Sequence, residues 1–138
     1  MSATRLIQTA IYARLVADAT LMALTDGGWH NDIPDGAAYP HGLISKAAET
    51  NRHTFGTATT GLGYRDIIRI HIYSRYQGDT EAYEILDRVV VLLNFQPLTV
   101  TGYASVSVEY EQSRLLVEAI DKIETRHLIG EFIVLVHQ

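Results

Sequence analysis

The residues of this chain that could do chemistry are six histidines, a run of acids in the last third, and scattered serines. His127, Glu131 and His137 share the parity of one strand face. Neighbours four residues apart on a strand are about 13 Å apart at roughly 3.3 Å per residue, too far for one metal shell. No HExxH-like spacing brings them closer. Glu109, Glu111, Glu118, Asp121, Glu124 and Glu131 could supply paired carboxylates for acid–base work. Strict alternation puts Glu109 and Glu111 on one face, where like charges favour solvent. Ser45, Ser74, Ser105, Ser107 and Ser113 lie in no nucleophile-elbow context. Thr60-Gly61-Leu62-Gly63-Tyr64-Arg65 has the glycines of a phosphate loop but no Lys-Ser/Thr, and it leads into a strand. Arg65, Arg69 and Arg75, interleaved with Tyr64, Tyr73 and Tyr76, have the residue types of a single-strand nucleic-acid platform. The net charge of -5 opposes that reading, as does the presence of only two lysines, Lys46 and Lys122. No catalytic, cofactor or metal site is therefore expected.

Composition narrows the class. At 138 residues, with 47% hydrophobic and 20% charged residues, the chain fits one domain, 1–138, with a sizeable core. Without cysteine there is no disulfide framework, thiolate metal site or thiol catalysis. No apolar run reaches the roughly 20 residues of a membrane helix, and the N-terminus lacks a signal-peptide pattern. A soluble protein outside the classical secretory route is expected.

Positioning elements follow from periodicity. Leu6, Ile7, Ala10, Ile11 and Leu15 form a helical stripe with Ser2 or Thr4 as cap. Residues 18–24 form a short further helical turn. Strands are expected at Trp29–Ile33 and Tyr39–Glu49, with a Pro34-Asp35-Gly36 turn between them. The Thr- and Gly-rich stretch from Asn51 to Gly63 buries little, so it is expected to be a mobile loop or exposed hairpin tip. Ile68, Ile70 and Ile72 alternate with Arg69, His71 and Tyr73 in a strand over 64–76. A helix over 80–93 is capped by Asp79, with Leu86, Val89 and Leu93 inward. Three strands then follow, over 103–110, 114–120 and 126–137, with Asp121-Lys122 in a turn. The expected fold is α+β, a mainly antiparallel sheet with two helices packed on one face, in the order α-β-β-β-α-β-β-β.

One feature exceeds what this plan needs. The last strand is apolar at both parities, with Leu128, Phe132, Val134 and Val136 on one side and Ile129, Ile133 and Leu135 on the other. Either both faces are covered within one subunit, or a neighbouring subunit covers Ile129, Ile133 and Leu135.

Four segments carry a family likeness. They are Ile11 to Ala19; Ile33-Pro34-Asp35-Gly36-Ala37-Ala38-Tyr39-Pro40; the strand Ile68 to Ser74 with Gly78 to Leu93; and Arg126 to Phe132. In this architecture the chain resembles the small tail-completion proteins of siphophages, which include tail-terminator and tail-to-head joining proteins. It departs from their pattern at Pro40-His41-Gly42-Leu43-Ile44, where Pro-Tyr and β-branched residues are usual. The resemblance implies a non-enzymatic homo-oligomeric ring, typically a hexamer, at the head-proximal end of the tail. Such a ring is made in the host cytoplasm and sits in the virion. It stops tube growth and meets the tail tube protein and the head-completion or connector protein, and DNA passes through without specific binding. Asn51, Arg52, His53, Phe55 and Leu62 would then form a partner-docking loop, and Glu109, Glu111 and Glu118 the channel-facing acids. The competing readings are a small oligomeric α+β interaction module and a ligand-binding domain.

Overall fold

Helix α1, Thr4–Val16, forms on the stripe that the sequence marks, and its Ile7, Ile11 and Leu15 are fully buried. A computed structural model describes residues 3–57 and 60–138. No side chain caps α1 at Ala3; the Thr4 hydroxyl instead donates to Glu49 at 2.9 Å. Ser2, the other expected cap, lies outside the described residues.

The short turn is a distinct helix, α2, Ala19–Leu24. Asp18 caps it by accepting from the Leu21 N–H at 2.8 Å. The same carboxylate takes a two-pronged ion pair from Arg88, at 2.8 and 2.7 Å, tying α2 to the later helix.

The strands are β1 (Trp29–His30), β2 (His41–Asn51), β3 (Gly63–Ser74), β4 (Ser105–Ile120) and β5 (Ile123–His137), with α3 (Thr80–Leu93) between β3 and β4. They form one sheet in the order β1-β2-β3-β5-β4, antiparallel except for the two-residue β1–β2 pairing. At Gly42 of β2 the choice of residue has a local cause. A Cβ there would lie 2.2 Å from the Trp29 ring, so only glycine lets the indole lie against the strand.

The α+β class holds, and the order differs in two places. Residues 18–24 make a helix of their own, and the three strands expected after Pro97 are two. Glu111-Gln112-Ser113 reads as a break, yet β4 runs through it with a β-bulge between Tyr110 and Gln112. Asp121 and Lys122 then turn the chain, both at positive φ. Asp79 does not cap α3: its carboxylate accepts from Arg126 at 3.3 Å, while Glu81 accepts from the Ser74 hydroxyl at 2.7 Å.

All three helices sit on one face of the sheet. Ile7, Ile11 and Leu15 of α1, Leu21 of α2, and Ile85, Leu86, Val89 and Leu93 of α3 join one core with Ile44, Ile68, Ile70, Ile72, Leu128, Phe132, Val134 and Val136. Close approach of α3 requires Gly130, where a Cβ would meet Leu86 Cδ1 at 2.7 Å. Among the described residues no helix is long and apolar enough to cross a membrane.

Candidate functional site

Among the described residues no helix lies on the opposite face of the sheet. The odd-numbered residues of β5 point that way, because the even-numbered ones enter the core. Ile129 and Ile133 are half-buried by their own neighbours, and Leu135 is 36% exposed. Register places Ile67 of β3 and Glu109 of β4 on either side of Ile133, and His71 and Arg114 on either side of Ile129. The face at this parity is therefore mixed: Ile67 and Ile133 form an apolar pair, and Ile129 and Leu135 lie among charged and polar neighbours. Arg69 and Glu131 pair across it at 3.2 Å.

Alternation on β4 is broken by its bulge. Glu109 lies opposite Ile133 and Gln112 opposite Glu131, so Gln112 rather than Glu111 continues the row of Glu109. Glu111 is the extra residue of the bulge and has no register partner on β5. Both are exposed. Glu118 differs from them: it is half-buried and accepts from His127 Nδ1 at 3.0 Å.

The expected docking loop divides. Arg52 N–H donates to the Gly63 carbonyl at 2.8 Å and Thr54 N–H to that of Gly61 at 2.9 Å, so hairpin pairing continues beyond Asn51. His53 Nδ1 accepts from the Gly63 N–H at 3.0 Å, and its ring meets Tyr64 edge-on. Leu62 is buried in the core, whereas Phe55 is fully exposed. Residues 58 and 59 of this loop lie outside the described residues.

A cluster at the other end of the helix-free face has no counterpart in the sequence reading. Ser45 Oγ lies 2.9 Å from His71 Nε2, and His71 Nδ1 lies 2.7 Å from His127 Nε2. With the Glu118 bond, these residues form one chain across β2, β3, β5 and β4. Tyr73 stacks on His127 with ring centroids 4.3 Å apart, His41 packs on Tyr73 at 5.2 Å, and Tyr39 on His41 at 4.5 Å. Arg75 lies over the Tyr39 ring at 3.9 Å. Burial, then the neighbouring His127 and Arg69, lower the His71 pKa to about 4, with Glu118 opposing. Burial likewise lowers the His41 pKa. The only available signal was polar and aromatic residues at the outward parity of β3 and β5. Their meeting depends on a register that the sequence does not state.

A single sheet is thus backed by helices on one side and carries a mixed polar and apolar face on the other. The chain belongs to the family described as tail completion protein gp17, whose model matches residues 9–137. That membership makes it a structural protein of a phage tail, part of the virion. No curated protein matches it by sequence. Among solved structures, it is similar to a chain from the virion of a native gene transfer agent particle: TM-score 0.71, 21% identity, 95% of this chain and 94% of the other covered. It is also similar to the gp17 protein of bacteriophage SPP1, with TM-score 0.56, 20% identity, and 99% of this chain and 91% of the other covered. At such identities these likenesses establish the fold.

Proposed function

We propose that copies of this protein close into a ring, six by the family likeness, at the head-proximal end of the tail. There the ring stops tube growth and provides the surface that the head-completion or connector protein meets. The observation that carries this is the helix-free face: Ile129, Ile133 and Leu135 lie on it with Ile67, and the subunit leaves them partly uncovered. A second copy using this patch against a different one builds a heterologous contact, and such contacts close into rings when the rotation closes. The role is architectural and involves no catalysis.

The hairpin tip is the docking arm in this reading. Asn51, Arg52, His53 and Phe55 are its exposed members; Leu62 is buried at its base, where His53 also accepts from the Gly63 N–H. Glu109 and Glu111 are the candidate channel acids: a passage that repels phosphate lets DNA slide, and a net charge of -5 per copy supplies the sign. Glu118, engaged with His127, serves this role less well. With Glu109→Lys and Glu111→Lys together, tails should assemble and eject DNA more slowly at low salt; unchanged ejection would remove both residues from the lining.

Deleting the gene in its phage tests the assignment. Tails of uncontrolled length that fail to join heads are the expected result. Tails of normal length joined to heads would overturn it.

A further inference from the structure

The chain Ser45–His71–His127–Glu118 uses four side chains from four different strands, and its donors and acceptors can be assigned from one end. Glu118 as a carboxylate can only accept, so His127 carries its proton on Nδ1 and presents Nε2 as an acceptor. His71 Nδ1, 2.7 Å from that nitrogen, must then carry a proton, which leaves His71 Nε2 to accept from the Ser45 hydroxyl. Every bond then points toward Glu118, and each imidazole is held in one tautomer by the next group.

This arrangement has room for one more proton. If His71 Nε2 is protonated, it donates to Ser45 Oγ, and the Ser45 hydrogen turns to the Arg69 carbonyl oxygen, 3.5 Å away. No covalent bond other than the new N–H is made, and no contact in the chain is lost. Ser45 sits mid-strand, where the ladder to β3 uses the local backbone donors, so an acyl oxyanion would find none there. The arrangement therefore suits proton uptake rather than nucleophilic attack.

We propose that Ser45, His71, His127 and Glu118 act as one proton-accepting unit, an acid-operated switch that places a positive charge on the helix-free face. The charged and titratable groups around it are Arg69 and Tyr73 on β3, His41 on β2, Glu131 on β5, Arg114 on β4, and Tyr39 and Arg75 at the end of the ring stack. Burial, then His127 and Arg69, oppose uptake and Glu118 favours it, which puts the transition on the acid side of an ordinary histidine. The loaded unit sets a cation beside Ile129, so a body seated on that face resists the proton and acid loosens the seat. Proton uptake concerns the subunit itself and is independent of ring closure, whereas the loosened seat rests on the proposed function.

Imidazole nitrogen NMR on the isolated subunit tests it. At pH 7.5 both His71 and His127 should appear as Nδ1–H tautomers, and His71 should gain its Nε2 proton with a midpoint near pH 4. Glu118→Ala should release His127 Nδ1 and, through the chain, shift His71 toward the Nε2–H tautomer. Ser45→Ala should move the His71 midpoint further down. Should Glu118→Ala fail to fold, Glu118→Gln keeps the acceptor and removes the charge, and the His71 midpoint should again fall. His71 found as Nε2–H at neutral pH, or a His71 spectrum indifferent to these changes, would overturn the proposal.

Discussion

Glu49 and Asp66 face each other directly across β2 and β3, beneath the start of α1. Glu49 accepts from the Ala3 N–H at 3.0 Å and from the Thr4 hydroxyl at 2.9 Å, while Asp66 is fully buried behind it. Burial pushes the Asp66 pKa up to about 7; the neighbouring Thr4 offsets part of this, and the Glu49 carboxyl adds to it. The folded state therefore holds a proton that the unfolded chain gives up near 3.8. Stability is fully present below that value and is lost as pH rises through about 7. Asp66→Asn should raise Tm at pH 8 by roughly 5 °C or more and leave it nearly unchanged at pH 4. A lower Tm at pH 8 in the variant would refute this account of the pair.

Asp18 and Arg88 behave with the opposite sign. The hydrogen bonds from Arg88, against some burial, hold the Asp18 carboxyl down to about 2 from 3.8, with Leu21 N–H helping. The stability this pair supplies is present above pH 3.8 and lost as pH falls toward 2. Because two guanidinium nitrogens engage two carboxylate oxygens, Arg88→Lys should not restore what Arg88→Ala loses. Thermal melts at pH 6 and pH 2 check both points: the wild type should exceed either variant at pH 6, and the gap should close at pH 2.

Phe55 and Leu62 lie in the same loop and should respond differently. Phe55→Ala should leave Tm within about 1 °C, since the ring touches solvent alone. Leu62→Ala removes a buried side chain and should cost about 2–4 kcal/mol in denaturant unfolding. If Phe55 docks on a partner, its variant should join tails to heads less efficiently with an unchanged melt.

Much of the fold was legible in particular residues. The α1 stripe, the Ile68–Ile70–Ile72 alternation, the α3 stripe and the Asp121-Lys122 turn all have local causes and stand where the periodicity put them. The features that escaped depend on non-local partners. Asp79 is a good cap by type, but Arg126 reaches it from β5. Glu111 breaks no strand because β5 holds β4 on both sides of the bulge. At the candidate site, the doubly apolar β5 was plain in the sequence. The Ser45–His71–His127–Glu118 chain was not, since it needs the registers of three strand pairs at once.

The central claim is that the helix-free face seats another copy. Ile133→Lys puts a charge in the middle of that face, where the side chain is only half-buried, so the subunit should still fold. Light scattering behind size exclusion, run across rising concentration, compares it with the wild type. The account predicts a closed oligomer, six times the 15.4 kDa subunit by the family likeness, for the wild type and a monomer with an unchanged far-ultraviolet spectrum for Ile133→Lys. A wild type that stays monomeric at every concentration and forms no ring in assembled tails, or a variant that oligomerises as the wild type does, would contradict it.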